Sequence, residues 1–223
     1  MKYPIIAFTG RKGAGKDTAA SLIAMENGGD GFSFGYNDAN MRYETFIKRP
    51  TIKFATPLKN MLIAHLEYCG VSDDTIDRLV NGNLKEVPNE HLCGATSRWA
   101  QQSLGTEWGR VLIGDKIWLN AFDARYDHLR TVWRGRYNTD ETFGVINTDT
   151  RFANEEQFMR ERGAYIVKVV DPHFVKPEND HPSESYIDQI KADYTFINSK
   201  ADQSAKDFAY HVARTLYNKG VLT

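Results

Sequence analysis

Cysteine is scarce in this sequence of 223 residues, which contains only Cys69 and Cys93. Neither lies in the closely spaced pairs that bind zinc or iron, so the sequence excludes a cysteine-ligated metal centre. Two isolated thiols are typical of a protein from a reducing compartment, where disulfides are rare. We therefore expect both cysteines to be reduced and the protein to be cytoplasmic.

Long apolar runs are absent as well, and no stretch approaches the ~20 residues needed to span a bilayer. The sequence shows no signal-peptide pattern before its first strand-like segment. Its formal net charge is −1, so it carries no general attraction for nucleic acid or an anionic membrane. We expect neither of these to be a direct partner.

The composition that remains is ordinary for a globular protein, with 41% hydrophobic and 26% charged residues. Strand-like apolar segments at 3–9, 51–55, 143–147, 164–170 and 194–198 alternate with helical patterns. Such alternation predicts an α/β fold with a five-stranded, mostly parallel sheet and helices on both faces. The length suits one domain of this kind with an inserted helical part.

A glycine-rich loop lies between the first apolar segment and the first helical pattern. Glycines let backbone amides approach a phosphate closely, and a lysine at the end of the loop adds a positive charge. We predict that this loop binds the phosphates of ATP and that Lys16 is catalytic. The predicted ATP-binding residues are Gly10, Arg11, Lys12, Gly13, Ala14, Gly15, Lys16, Asp17 and Thr18.

A magnesium site is expected next to this loop. The serine or threonine that usually follows the loop lysine and binds Mg²⁺ is replaced by Asp17, with Thr18 next. Asp17 either contacts the metal or only favours the helix dipole. Asp149 follows an apolar strand, where this kind of fold positions Mg²⁺, although it also suits a turn. We predict that Asp17, Thr18 and Asp149 bind the metal.

Residues 96–110 combine two arginines, two glutamines and two tryptophans around Gly105. Arginine can bind phosphate through two hydrogen bonds, and glutamine can read a base edge. We expect a helix over 97–104 that ends at Gly105 in the left-handed conformation. An amphipathic hairpin with surface arginines is the alternative. The candidate acceptor-binding residues of this stretch are Arg98, Gln101, Gln102 and Arg110.

Other charged residues are candidates for the same acceptor. Lys59 lies in the first turn of a predicted helix, where a cation is unfavourable unless an anion is near or the side chain is simply solvated. Arg151 is placed to reach a phosphate and to act in catalysis. Asn154 is the predicted N-cap of the next helix, and Glu155 is an acceptor candidate that also favours that helix terminus.

A polar segment over 171–191 follows the fourth predicted strand and has the position of a lid. Its candidate cations are Lys176 and His181, and it contains no arginine.

Taken together, five blocks of this sequence resemble the bacteriophage deoxynucleoside monophosphate kinases. The blocks are 10–18, 54–59, 98–110, 149–155 and 181–184. The resemblance implies a P-loop kinase fold of the nucleoside-monophosphate-kinase type, formed by a single domain over 1–223. It also implies a helical acceptor-binding insertion at about 60–130 and a lid at about 171–191.

The resemblance further implies transfer of the ATP γ-phosphate to a deoxynucleoside monophosphate, with Mg²⁺ as cofactor, for DNA precursor supply. Lys16 and the loop amides would hold the ATP phosphates, and Asn198 and Ser199 would lie beside its base. Arg98, Arg110 and Arg151 would bind the acceptor and the transferring phosphate, and Arg110, Arg151 and Asp149 would act with Lys16 in catalysis. The partners would be small nucleotides, a homodimer is left open, and a viral source would place the protein in the host cytoplasm.

Two alternatives to this function remain open. The same loop serves kinases of other small acceptors, such as dephospho-coenzyme A or phosphomevalonate. A nucleotide-dependent switch or ATPase is the second, although the guanine-reading Asn-Lys-x-Asp motif is absent from the sequence.

Overall fold

A computed structural model of the chain describes residues 3–25, 33–37, 43–47, 49–141, 143–175, 186–199 and 203–222. Its strands are β1 Ile5–Thr9, β2 Ala24–Met25, β3 Ser33–Asn37, β4 Tyr43–Ile47, β5 Arg49–Pro50, β6 Val145–Asn147, β7 Tyr165–Val170 and β8 Tyr194–Ile197. Its α-helices are α1 Lys16–Ala20, α2 Thr56–Tyr68, α3 Asp73–Val80, α4 Ser97–Ser103, α5 Ile117–Tyr137, α6 Ala153–Glu161 and α7 Ala205–Asn218. A π-helix spans Leu104–Ile113, and short 3₁₀ turns span Glu90–Leu92 and Ile187–Gln189.

The chain divides into two compact units. The first contains Met1–Lys53 and Arg125–Thr223, and the second contains Phe54–Ala124. Helix α5 begins in the second unit and ends in the first. Within the residues that are described, no helix is both long and apolar enough to cross a membrane.

The first unit is organised around a four-stranded parallel sheet in the order β6-β1-β7-β8. Strand β1 pairs with β6 through Ile5 opposite Val145, and with β7 through Ile6 opposite Tyr165. In a parallel sheet all strands end at the same edge, so the segments that follow β1, β6, β7 and β8 meet there. This edge positions the candidate site.

Alternation along the strands buries both faces of this sheet. Ile6 and Phe8 of β1 pack with Val167 of β7 against Phe208 and Leu216 of α7 in one core cluster. The intervening residues of β1, Ile5 and Ala7, are equally buried. An unbroken apolar strand in the sequence therefore corresponds to a central strand that is covered on both sides.

The prediction of a fifth strand over 51–55 is wrong. Thr51 makes only an isolated bridge to Ile146, and the chain then turns into helix α2. The carbonyl of Ile52 accepts a hydrogen bond from the side chain of Asn147 at 2.9 Å, which occupies the group that a longer strand would use for pairing. Because α2 begins at Thr56 with Pro57 in its first turn, little extended chain remains.

The second unit is helical and has a core of its own. Leu62 and Leu66 of α2 pack against Ile76, Leu79 and Val80 of α3. Helix α4 follows the N-cap Thr96, whose hydroxyl oxygen accepts a hydrogen bond from the backbone amide of Trp99 at 3.1 Å. The unit thus presents α4 and the π-helix on a packed pair of helices.

Candidate active site

The glycine loop between β1 and α1 is packed tightly against the ends of two other strands. Gly10 has φ 144°, and a Cβ there would lie well inside contact distance of the Val169 carbonyl oxygen. Gly15 has φ 96°, and a Cβ there would collide with the amide nitrogen of Asn198. Glycine is therefore required at both positions for conformation and for space.

Lys16 is a buried cation of this loop, with only 7% of its surface exposed. Its Nζ donates to the carbonyl oxygens of Gly10 at 2.7 Å and Arg11 at 3.0 Å. The ammonium group therefore lies in the curve of the loop. These carbonyls are neutral acceptors, and phosphate oxygens are charged and bind an ammonium group more strongly. The Lys16 ammonium can therefore exchange its hydrogen bonds to the carbonyls for hydrogen bonds to a phosphate.

Asn198 holds the loop from the end of β8. It is 5% exposed, its Nδ2 donates to the Ala14 carbonyl at 2.9 Å, and its backbone amide donates to Val170 at 2.8 Å. The expectation placed Asn198 and Ser199 beside the base of ATP. The structure brings Asn198 to the loop itself, with Ser199 next along the chain, and the base contact stays a prediction.

Asp17 lies in a small polar network at the start of α1. Its Oδ1 accepts hydrogen bonds from Lys53 Nζ at 2.7 Å and from Thr148 Oγ1 at 2.8 Å. Burial by itself raises the pKa of this carboxyl, but the hydrogen bond and charge of Lys53 and the Thr148 hydroxyl outweigh it. The pKa of Asp17 therefore lies below its ordinary value.

Asn147 organises the end of β6 and was missed from the sequence. It is fully buried, and its Nδ2 donates to Asp149 Oδ1 at 2.8 Å as well as to Ile52. Its Oδ1 accepts the amide of Asp149 at 3.1 Å and the hydroxyl of Thr150 at 2.8 Å. The orientation of Asp149 thus depends on a neighbouring amide. The signal for this role in the sequence is an asparagine at the end of an otherwise apolar strand.

The oxygen atoms around Asp17 suit magnesium. Asp17 touches Thr148, which precedes Asp149 in the chain, and Thr18 follows Asp17 in α1. Across the described ranges, no group of three or more histidine, cysteine, aspartate or glutamate side chains could hold a metal by itself. Mg²⁺ commonly takes one or two carboxylates and completes its shell with phosphate oxygens and water, and the magnesium role of Asp17, Thr18 and Asp149 stays a prediction.

Arg151 and Glu155 lie at the start of α6. Glu155 is 2% exposed, and its Oε2 accepts the amides of Arg151 at 2.8 Å and Phe152 at 3.1 Å. The predicted N-cap at Asn154 is wrong, because the helix begins at Ala153 after Phe152. Glu155 caps this terminus. Its predicted role in acceptor binding is not decided by these contacts.

A cavity of about 250 Å³ lies beside the glycine loop, within the first unit. Its walls include Arg11 and Ala14 of the loop, Lys168 of β7, and Phe174 and Asp188 beyond that strand. The Arg11 guanidinium forms an ion pair with Asp188, and its Cζ lies 5.2 Å from the centre of the Phe174 ring. Sequence reasoning missed Phe174 and Asp188, whose positions depend on the path of the chain after β7.

In the second unit, the π-helix positions Arg110. Its Nη1 donates to the carbonyl of Gly105 at 2.7 Å, and the indole Nε1 of Trp118 donates to the same oxygen at 2.9 Å. A Cβ at Gly109 would lie 2.6 Å from the Trp118 ring, so that glycine is required for the packing. The prediction that Gly105 ends a helix in the left-handed conformation is wrong, since the helix continues through it to Ile113.

The remaining acceptor candidates in this unit make local contacts. Arg98 Nε donates to Glu86 at 3.0 Å, and Lys59 Nζ donates to Asn81 at 2.8 Å. Gln101 Nε2 donates to the carbonyl of Val80 at 3.1 Å. Gln102 is half-buried in α4. The roles of these residues toward an acceptor stay predictions.

In the first unit, the structure brings together four of the predicted parts of the site: the loop residues 10–15, Lys16, Asp17 and Asn198. Asp149 is the next residue after Thr148, which contacts Asp17. Two further residues predicted for the lid, Lys176 and His181, lie outside the described residues.

Comparison with known proteins identifies a relative for almost the whole chain. A protein of Acanthamoeba polyphaga mimivirus, named "Putative deoxynucleotide monophosphate kinase", is 30% identical over 198 residues. The match covers 88% of this chain and 89% of the viral protein. This chain belongs to the deoxynucleotide monophosphate kinase family. The relationship confirms the family expected from the sequence, while the bacteriophage source stays a prediction because this relative comes from a mimivirus.

No protein-family profile matches the chain. Membership in the deoxynucleotide monophosphate kinase family therefore rests on the full-length relative.

Proposed function

We propose that this chain transfers the γ-phosphoryl group of ATP to a deoxynucleoside monophosphate and produces the diphosphate. The observation that carries the proposal is the loop of residues 10–15 with Lys16 curled inside it. The relative's name supports a nucleotide monophosphate as the acceptor. The products would supply precursors for DNA synthesis, and the partners would be small nucleotides rather than nucleic acid.

Lys16 performs the central electrostatic task in this proposal. In the structure its Nζ is bound to two backbone carbonyls, Gly10 and Arg11. Phosphate oxygens are charged acceptors and replace these carbonyls when ATP enters the loop. Phosphoryl transfer needs in-line positioning and charge stabilisation more than covalent chemistry. We therefore expect no essential general base.

Magnesium would be held by Asp17, Thr18 and Asp149, with Asn147 orienting Asp149. When bound, the ion neutralises charge on the phosphates of the donor. Lys53 neutralises Asp17 in the structure and competes with a cation for the same carboxylate. Thr148 donates to that carboxylate and fixes its orientation.

The acceptor contacts are assigned to the second unit and to α6. Arg98, Arg110 and Arg151 would bind phosphate, because guanidinium groups match the geometry of phosphate oxygens. Gln101 and Gln102 would contact the base, and Lys59 and Glu155 complete the candidate set. Closure of the segment after β7 would exclude water, which otherwise competes as acceptor.

A panel of acceptors tests the proposal directly. ATP consumption is measured with each deoxynucleoside monophosphate in turn and with dephospho-coenzyme A and phosphomevalonate. We expect ADP and a deoxynucleoside diphosphate to form in equal amounts. Activity only on a non-nucleotide acceptor rejects the assigned substrate. ATP hydrolysis that DNA stimulates, without phosphorylation of any acceptor, rejects the kinase assignment.

Substitution of Lys16 tests the site. We expect Lys16→Met to lower turnover at least ~10³-fold, because it removes a preorganised charge from the transferring phosphate. Lys219→Met is the matched control, since Lys219 is an exposed lysine at the C-terminus of α7. Turnover of Lys16→Met near that of the control would refute the site.

A further inference from the structure

On the donor side of the proposed site the cation assigned so far is Lys16, and the segment after β7 does not supply an arginine. Residues 171–191 contain none. The described residue that faces this segment from the loop is Arg11, whose side chain lines the cavity together with Asp171, Phe174 and Asp188. We propose that the guanidinium of Arg11, in addition to the loop backbone, binds the polyphosphate of the donor nucleotide and that Asp188 is the counter-ion it exchanges for phosphate. This inference rests on the proposed function.

The backbone of Arg11 places it at the phosphate position. Its backbone carbonyl oxygen accepts a hydrogen bond from the Lys16 ammonium at 3.0 Å, so the Arg11 backbone is in direct contact with the loop lysine. Arg11 as a whole residue is only 8% exposed and lines the cavity with Ala14 and Val169. A phosphate held by Lys16 at the loop therefore lies next to the residue that carries this guanidinium.

Two side chains hold the Arg11 guanidinium at this position. Its Nε donates to Asp188 Oδ1 at 3.3 Å, and its Nη2 pairs with the other carboxylate oxygen. The ring of Phe174 packs on the same group, with the Cζ atom 5.2 Å from the ring centre. This two-point pairing presents the geometry that a phosphate with two free oxygens also offers.

The exposure of the pair is strongly unequal, and this makes Asp188 the partner that leaves. The Arg11 side chain is 9% exposed and that of Asp188 is 61% exposed. An ion pair with one well-hydrated partner contributes little free energy, so a carboxylate in this position is easily replaced. Phosphate carries more negative charge than a carboxylate and competes well for a buried guanidinium.

The backbone of Asp188 is fixed independently of its side chain. Lys168 Nζ donates to the Asp188 carbonyl at 3.1 Å, and the neighbouring Ile187 is fully buried. Rotation of the carboxylate away from Arg11 therefore leaves the 3₁₀ turn Ile187–Gln189 in place. Asp171 is the other acid on the cavity wall, and its negative charge also repels an anion, which Arg11 has to outweigh.

Binding of two probes to the full chain tests this assignment. ATP and inorganic tripolyphosphate are titrated calorimetrically into the wild type, Arg11→Lys and Asp188→Asn. We expect Arg11→Lys to lower the affinity for both probes about 10-fold, because the two-point hydrogen bond to phosphate is lost. Asp188→Asn should strengthen both about 3-fold, because the competing carboxylate is removed.

The matched control is Asp74→Asn, which removes another exposed carboxylate from an arginine at 4.0 Å, Arg78. It should leave both affinities unchanged. If Arg11→Lys bound ATP more weakly but tripolyphosphate with unchanged affinity, Arg11 would contact the nucleoside, and the proposal would be overturned. Weaker binding in Asp188→Asn would overturn the exchange. Asp188 is an exposed side chain, so this variant gives a result even if Arg11→Lys does not fold.

Turnover separates this inference from the proposed function. With an accepted deoxynucleoside monophosphate, Arg11→Lys should lower kcat by about 10²-fold in addition to its effect on binding. If the wild type and variants bind both probes as expected but no acceptor is phosphorylated, the proposed function fails and the Arg11 assignment stands. If acceptors are phosphorylated and Arg11→Lys matches the wild type in binding and kcat, the Arg11 assignment fails.

Discussion

At the scale of single residues, the contact of Asp17 with Lys53 defines how the first turn of α1 responds to pH. Lys53 Nζ lies 2.7 Å from the carboxylate, and this partner lowers the pKa of Asp17 against the opposing effect of burial. A carboxyl whose pKa is lowered by folding stabilises the folded state above its ordinary pKa. That contribution is lost as the pH falls through the lowered value.

We expect Lys53→Met to raise the pKa of Asp17, because the main favourable partner is lost while burial remains. The measurement is an NMR pH titration of the Asp17 side-chain carboxyl in wild type and variant. Lys219→Met serves as the control for the loss of one lysine charge. An unchanged titration midpoint in Lys53→Met would show that the hydrogen bond does not form in solution.

The same pair has a consequence for stability in acid. Below pH 3.8, the ordinary pKa of an aspartate, the wild type should lose its stability advantage over Asp17→Asn. Above that pH the difference between the two free energies of unfolding should be constant. Urea unfolding across this range checks both statements.

The loop residues could be predicted from the sequence, and their partners could not. Gly10, Gly15 and Lys16 form a local pattern whose spacing already specifies its geometry. Lys53 lies 36 positions from Asp17 in the sequence, and Thr148 lies 131 positions from it. The three residues meet only because the fold brings these segments to the same edge of the sheet. One sequence without an alignment contains no signal for such a contact.

At the scale of elements, the π-helix Leu104–Ile113 is the most unusual helix type in the described chain. Helices of this type are rare, and ten residues is long for one. The shared carbonyl of Gly105 and the close approach of Trp118 to Gly109 maintain it. A propensity argument could only predict a stop at Gly105, because the contacts that carry the helix onward come from α5.

Gly109→Ala should destabilise the protein by about 1–3 kcal/mol, the usual cost of overpacking. The new Cβ would lie 2.6 Å from the Trp118 ring and 2.8 Å from the Leu104 carbonyl oxygen. Gly135→Ala in α5 is the control, since a Cβ there meets nothing within 4 Å and alanine favours a helix. Urea unfolding that gives equal stabilities for the two variants would contradict this packing.

Element boundaries show where sequence periodicity succeeds. The predicted strands at 3–9, 143–147, 164–170 and 194–198 agree with β1, β6, β7 and β8 to within two residues at each end. Helix α5 extends to Tyr137, through residues 130–137 in which the sequence is largely polar. The reason is aromatic packing, since Trp133 contacts Tyr137 at 4.3 Å and Phe143 at 6.0 Å between ring centres. The polar residues around these rings leave no apolar stripe in the sequence from which the last turns of the helix could be predicted.

At the scale of the whole molecule, the sheet order makes β1 the central strand of the first unit. It is paired on both sides, and Ile5, Ile6, Ala7 and Phe8 are at most 1% exposed. Amides in such a strand exchange with solvent only when the sheet opens. The pairing of β2 with β5 involves only two residues of each strand, so we expect it to open more easily.

We therefore expect the amides of β1 to be among the slowest to exchange in native-state hydrogen exchange, with protection equal to the global free energy of unfolding. The amides of β2 and β5 should exchange faster under the same conditions. Similar protection in the two sheets would show that they open together. Measurement at several low denaturant concentrations separates local from global opening.

The pairing of β1 also bears on how the protein is made. Its first partner in the chain, β6, begins about 140 residues later, at Val145, and its second, β7, later still. A ribosome therefore releases β1 long before either neighbour exists, and at ~5–20 residues per second the nascent strand waits for at least several seconds. During that interval β1 is an apolar segment with two unpaired edges, a feature that favours aggregation and chaperone binding.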